Sequence, residues 1–329
     1  MTLRKKTLVI TGITLFSLFG AIYTTSKAIL LDGFAKIERQ DTEQNVRRVV
    51  EAYKNELVKL KLMNADEAEW DGSYAAVESG DQKYFNSAFN YPSLVRSGVD
   101  LVVFIRRDDR RIVFGSFINS KHKKSLPVPE SLQKFFLRDD FLRQLQVPDQ
   151  EQMGMFLLPE GPLIVTARPI LTSEGKGPSH GVLIMGRYLK IDRLAERTHY
   201  KIAAQRLDRP PTPMDFRLAQ LALIKKPIPF VQPLNENIMA GYTMLRDMEG
   251  NPALLLRVDL PRDIYRKGQD SVRYLIWSLL LVGLVFTVTT LLLLEKLVLS
   301  RLARLSSDVS RIGASSDLRS RVIIPGNDE

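Results

Sequence analysis

The chain has 329 residues, a formal charge of +10, three histidines and no cysteine. The lack of cysteine excludes disulfide staples, thiolate metal sites and cysteine nucleophiles, so any domain in an oxidising compartment depends on core packing alone. The basic excess is scattered. Only Lys121-His122-Lys123-Lys124 clusters, and a solvated loop accounts for that run without a nucleic-acid partner.

Thr7 to Ser26 carries no charged side chain, and neither does Tyr274 to Leu294. Each run is about 20 residues, enough helix to cross a hydrocarbon core of roughly 30 Å. Arg4, Lys5 and Lys6 precede the first run; Lys296, Arg301 and Arg304 follow the second. Short flanks rich in Lys and Arg stay cytoplasmic, which predicts both termini inside and the middle outside. A cleaved signal peptide is the alternative for the first run. Its length and the lack of a clear Ala-x-Ala site after it favour an uncleaved anchor. Tyr274 and Trp277 stand where aromatic rings favour the outer membrane interface. The expected division is a transmembrane helix at 7–31, an extracytoplasmic domain at 32–273, a second transmembrane helix at 274–294, and a cytoplasmic segment at 295–329. The expected location is the inner (plasma) membrane, with lipid as one partner.

Val46, Val50, Tyr53, Leu57 and Leu60 are spaced 4, 3, 4 and 3. That spacing predicts one amphipathic helix from the membrane to about Met63, uninterrupted by proline. Its apolar stripe serves either packing on its own domain or parallel pairing with a second subunit, and a parallel homodimer is the expectation. Ala65 to Tyr91 mixes aromatic residues with acids and amides. Five strand signals follow at Val99–Ile105, Ile112–Phe117, Met153–Leu158, Leu163–Ile170 and Gly181–Tyr188. They predict an α+β fold, a PAS-like antiparallel sheet reached from a long N-terminal helix. Lys190 to Gln205 reads as helical and Asp215 to Ile224 as a short amphipathic piece. Gly241–Leu245 and Ala253–Leu260 read as a hairpin that either extends the first sheet or forms a smaller lobe. Asp263 to Arg273 leads helically into the second span. Beyond Leu294, Val298, Leu302, Leu305, Val309 and Ile312 repeat the 4, 3, 4, 3 spacing and predict a parallel coiled-coil helix ended by Gly313.

Three constellations invite chemistry. On a helix Trp70 and Tyr74 share a face, with Asp71 beside them. An aromatic pair near a carboxylate can cage a small cationic or hydrogen-bonding ligand; the same residues can equally anchor the helix to the sheet, with Asp71 capping or turning the chain. Arg168 and Arg187 occupy similar strand positions, suited to a ligand carboxylate or to internal salt bridges. His122, His180 and His199 have no metal-ligand spacing, and the chain has neither a phosphate-binding glycine loop nor a nucleophile elbow. No catalytic residue, metal or cofactor is expected in these residues. The expected partner outside is an unidentified small molecule.

Residues 295–329 resemble the first half of a HAMP signalling module. The resemblance rests on the heptad helix, Gly313, the paired connector positions Leu318 and Val322, and Asp328-Glu329, which would open the second helix. It implies a signal relay through Val298, Leu302, Leu305, Val309, Ile312, Gly313, Leu318, Val322, Asp328 and Glu329. Residues 33 to about 200 resemble the fourth class of CHASE extracellular sensor domains. The resemblance is carried by Phe34-x-x-Ile37-Glu38, Asn45-Val46-x-Arg48-Val49, Glu69-Trp70-Asp71-Gly72-Ser73-Tyr74, Gly98-Val99-Asp100-Leu101-Val102, Ala167-Arg168-Pro169-Ile170 and Gly181 through Arg187. It implies the receptor part of a bacterial two-component sensor histidine kinase. The alternatives are the sensor half of a diguanylate cyclase or phosphodiesterase, and a non-enzymatic chemotaxis-type transducer. In each case the chain is expected to continue into an output domain.

Overall fold

The computed structural model describes residues 3–119, 124–145, 150–209, 212–301, 306, 307 and 310. The chain divides into two compact units. One is Arg39–Arg262; the other joins Met1–Glu38 with Asp263–Glu329.

Helix α1, Leu3–Ala68, contains no proline to break it. Within Arg39–Arg262 it buries one stripe: Thr42, Asn45, Val46, Val49, Tyr53, Leu57, Leu60, Asn64 and Ala68. The apolar seam legible in the sequence therefore packs on its own domain. Val50 is half-buried at its edge. The helix outruns its expected end at Met63 because Asn64 and Ala68 still fall on the buried stripe. Asn64 is fully buried. It donates to the carbonyl of Thr166 at 2.9 Å and of Leu183 at 3.3 Å, and to the Thr166 hydroxyl at 3.1 Å.

Three short helices follow: α2 Asp71–Ser79, α3 Gln82–Ala88 and α4 Tyr91–Ser97. Each boundary has a local cause. Gly80 closes α2 with φ of 72°, a left-handed conformation that glycine adopts without steric cost. Asp81 caps α3 through the amides of Lys83 and Tyr84, and Asn90 caps α4 through that of Ser93.

The first sheet contains β1 Leu101–Arg106, β2 Ile112–Asn119 and β3 Lys124–Leu126. After helices α5 Glu130–Phe136 and α6 Asp139–Arg143 come β4 Gln152–Leu158, β5 Gly161–Ile170 and β6 Gly181–Tyr188. Its order is β3-β2-β1-β6-β5-β4, with every pairing antiparallel. All five expected strands are present, with β3 added. One face of the sheet (Val102, Phe104, Ile164, Leu183) packs with α1 and with Phe85 of α3. The other (Leu101, Val103, Ile105, Val165, Ile184) lies beneath Leu132, Phe136 and Phe141 of α5 and α6. Burial on both faces explains the unbroken apolar run of β1.

The second sheet follows α7 Ile191–Thr198. It comprises β7 Lys201–Arg206 and, after α8 Met214–Lys225, β8 Phe230–Pro233, β9 Ile238–Arg246 and β10 Pro252–Pro261. Its order is β7-β10-β9-β8. One alternative is decided here and one expectation changes. The 241–260 hairpin belongs to this second sheet and does not extend the first. The helix expected over Lys190–Gln205 stops at Thr198, where His199 turns left-handed with φ of 59°. The residues after it pair with β10, Ile202 opposite Val258 and Ala204 opposite Leu256. Helix α8 lays Phe216, Ala219 and Leu223 on Ala240, Tyr242 and Leu255.

The other unit pairs the N-terminal part of α1 with α9, Asp263–Leu293. Gly268 lies against Phe34 and Gly283 against Phe19, so closely that a Cβ at either would collide with the ring. Glu38, 3% exposed, accepts the Tyr265 amide at 3.3 Å. Both helices are long and apolar enough to cross a membrane. Helix α9 continues into a π-helical segment, Leu294–Leu299. This wider winding, rather than a plain heptad helix, holds Val298. Leu302, Leu305, Val309, Ile312, Gly313, Leu318, Val322, Asp328 and Glu329 lie outside the described residues.

Candidate functional site

Where β1 ends and β6 begins, a cavity of about 140 Å³ opens toward α6. Ile105, Leu142, Leu145 and Val182 form its apolar wall. Arg106, Arg107, Arg110 and Ser179 supply polar groups, and Gly181 its floor. A side chain at Gly181 would run into the Ile105 carbonyl, so only glycine lets the strands meet there.

The three arginines are not equivalent. Arg106 grips both oxygens of Asp109 at 3.1 and 2.5 Å, which holds that carboxyl down at about 2. Arg110 pairs with Asp139. Arg107 pairs with no carboxylate among the described residues. Its backbone amide donates to the His180 carbonyl at 2.9 Å, and its guanidinium donates to the Ser179 carbonyl at 3.3 Å. A cation matched only by a carbonyl retains donors for an anion.

Ser179 brings the loop from Leu171 to His180 to the wall of this cavity, and Asp71 and Tyr74 hold that loop. The Leu171 amide donates to the Ala68 carbonyl at the end of α1. Asp71 accepts the Ser173 amide at 2.9 Å, and the Ser173 hydroxyl accepts the Asp71 amide at 3.3 Å. The Ser173 backbone amide foremost, and then the Ser173 hydroxyl, keep the Asp71 carboxyl below the ordinary range. The Tyr74 hydroxyl donates to the Pro178 carbonyl at 3.2 Å, and its ring stacks on His180 at 3.8 Å between centroids. Glu78 stands 3.4 Å from Nδ1 of His180.

Asp71 and Tyr74 are thus brought together with residues that sequence spacing did not pair with them: Ser173, Pro178 and His180. Trp70 is not stacked with Tyr74. Its indole folds over Gly72 beside Tyr84 and is 59% exposed. Behind it, Glu67 accepts from Ser73 at 2.9 Å and from Tyr84 at 3.2 Å. Arg168 donates to Glu69 at 2.6 Å. Arg187 lies elsewhere: it donates to the carbonyls of Gly98 at 2.6 Å and Ser97 at 2.9 Å, with Glu56 at 3.7 Å. Burial lowers its affinity for the proton. Arg107 was hidden in the sequence because the run Arg106–Arg111 reads as a polar turn. The one available signal was its surplus of arginine over aspartate. Among the described residues no group of three His, Asp or Glu side chains converges to hold a metal.

Residues 52–205 match the model of the CHASE4 domain. The methanogenesis regulatory histidine kinase FilI of Methanothrix harundinacea is 27% identical over 320 residues, covering 95% of this chain. The chain spans about a third of that relative's length, 34%. Among solved structures, the periplasmic domain of Vibrio cholerae LuxQ is similar at 12% identity and a TM-score of 0.43, covering 67% of this chain and 99% of that one. The ligand-binding domain of the Campylobacter jejuni chemoreceptor Tlp3, solved with L-valine, is similar at 12% identity and a TM-score of 0.39, covering 77% and 98%.

Proposed function

We propose, from the match of residues 52–205 to the CHASE4 domain model, that the chain is the stimulus-sensing part of a membrane-bound histidine kinase. Residues 39–262 face the extracytoplasmic side, both termini lie in the cytoplasm, and residues 295–329 begin a HAMP module that relays the signal. The ligand is a small anion seated beside Arg107. The observation that carries this reading is the apolar-walled cavity with one cation that no described carboxylate neutralises.

Asp71 and Tyr74 act as holders of the loop that bounds the ligand rather than as its cage. When an anion draws Arg107 inward, the Ser179 carbonyl loses its donor and loop 171–180 shifts. That loop is bonded to the last turn of α1 at Ala68, so ligand and helix share one two-state element. A kinase output is favoured over a cyclase or a chemotaxis-type transducer because the relative matched along 95% of the chain is a histidine kinase. A parallel homodimer fits the same reading. Val58 and Leu62, one turn apart on α1, are 45% and 57% exposed and remain for a partner.

The test uses the full-length protein, purified in nanodiscs with radiolabelled ATP. The expected result is transfer of the γ-phosphate to a histidine, changed in rate by the anion that binds the chain. Synthesis of cyclic di-GMP without phosphohistidine would contradict the kinase assignment. Because the chain lacks cysteine, Ser173→Cys reports topology cleanly. It should react with an impermeant maleimide on intact cells; labelling only after lysis would contradict the proposed orientation.

A further inference from the structure

A second cavity, of about 490 Å³, lies between the two sheets inside the Arg39–Arg262 unit. It shares no wall residue with the pocket beside Arg107. Its volume falls within the range of small-molecule sites, roughly 300–1,000 Å³. Phe135 of α5, Phe156 of β4 and Met248 of the β9–β10 turn reach it from three elements. All three are only half-buried, so folding leaves apolar surface there unused. Phe135 and Phe156 meet edge to face at 4.8 Å.

The charged groups of the wall are all of one sign: Asp208, Asp247 and Glu249 line it, and no Lys, Arg or His does. Two of the three are neutralised from outside. Arg206 grips Asp208 at 2.9 and 2.7 Å, and Arg138 meets Glu249 at 2.5 Å. Asp247 has no cation. Its oxygens accept the amides of Glu249 at 3.0 Å and Asn251 at 2.7 Å, and the Asn251 side chain at 3.4 Å. These bonds fix the carboxylate without cancelling its charge. An apolar chamber with one oriented, unneutralised carboxylate is complementary to an apolar body with a cation at one end.

We propose that this cavity is a second ligand site, taking a small organic amine whose apolar body lies against Phe135 and Phe156 and whose ammonium meets Asp247. The site lies where the two sheets are tied. The Met248 amide donates to the Met155 carbonyl at 2.9 Å, and Arg206 donates to the Leu158 carbonyl at 2.5 Å. Gly154 presses on Met248 with no room for a side chain. Strand β10 starts at the cavity wall with Pro252 and runs to Pro261, two residues before α9 begins. An occupant therefore bears on the strand that precedes the second membrane helix, independently of the pocket beside Arg107.

The experiment is fluorine NMR of 4-fluorophenethylamine titrated with the full chain in zwitterionic nanodiscs, with empty nanodiscs subtracted. Saturable binding is expected for the wild type. Asp247→Asn, which keeps the turn's acceptor, should weaken binding at least tenfold. Ser131→Trp, which places a ring in the cavity from an exposed helical position, should abolish it. Arg107→Met should leave it unchanged. No saturable binding to wild type, or equal binding to Ser131→Trp, overturns the site. Equal binding of the uncharged 1-ethyl-4-fluorobenzene overturns the role of Asp247. Circular dichroism of each variant confirms that it is folded, and the two substitutions, one on α5 and one in the β9–β10 turn, fail independently.

Discussion

Tyr74 makes two kinds of contact with one loop, and they can be separated. Its hydroxyl bonds the Pro178 carbonyl, and its ring stacks on His180. A neutral hydrogen bond contributes about 1 kcal/mol. Tyr74→Phe should therefore open loop 171–180 about fivefold more often, and Tyr74→Ala more still. Limited trypsinolysis reads this out, because Lys176 sits in that loop; cleavage after Lys176 should accelerate in the same order. Equal rates in all three proteins would mean that Tyr74 does not hold the loop. Asp71 adds a pH dependence of known sign. Its folded carboxyl lies below the ordinary range because the Ser173 amide donates to it. Its contribution is present above the unfolded value of about 3.9 and disappears as pH falls through the folded value. Melting curves of wild type and Asp71→Asn should differ most at pH 6 and draw together as pH falls below about 4. A difference that grows toward pH 3 would reverse the assignment.

At the scale of elements, α1 was the most legible, since its 4, 3, 4, 3 spacing marks a buried stripe. The stripe itself does not say what covers it. Here the covering surface is the chain's own sheets, through Val102, Ile164, Leu183, Leu254 and Leu256. Asn64 was illegible because its value lies in carbonyls about 100 residues distant in sequence. Asn64→Ala removes the donor that serves Thr166 and Leu183 and leaves a hole in the stripe. It should cost about 1–3 kcal/mol, measured as a loss of urea stability at an unchanged denaturant slope. A loss below about 0.5 kcal/mol would show that the anchor is dispensable. The segment after Thr198 misread for a related reason. Lys201–Arg206 is locally neutral between helix and strand, and only its pairing with β10, some 50 residues later, selects the strand. The loop holders fared similarly. Trp70, Asp71 and Tyr74 were conspicuous by residue type, but Ser173 and His180, which give Asp71 and Tyr74 their role, lie about 100 residues away.

For the whole molecule, the two units have different physics. Arg39–Arg262 is held by cores on both faces of its first sheet, and the helical unit by close approach of Gly268 and Gly283 to aromatic rings. Tight helix contact through glycine is the packing expected where lipid rather than water surrounds the pair. If α1 also pairs between subunits, Leu62→Cys should form an oxidised dimer in membranes, while Cys at the buried Leu60 should not. Crosslinking at Leu60 alone would place the stripe, not the outer face, at the interface.

An anion beside Arg107 is what we propose the outer domain senses. The direct measurement is the melting temperature of the full chain in nanodiscs against a panel of small mono- and dicarboxylates, for wild type and Arg107→Met. A ligand present at about 100 times its dissociation constant adds about 2.7 kcal/mol, a shift of several degrees for a domain of this size. At least one carboxylate should raise the wild-type melting temperature by that amount and leave Arg107→Met unmoved. A panel that moves neither protein, or that moves both equally, would contradict the account.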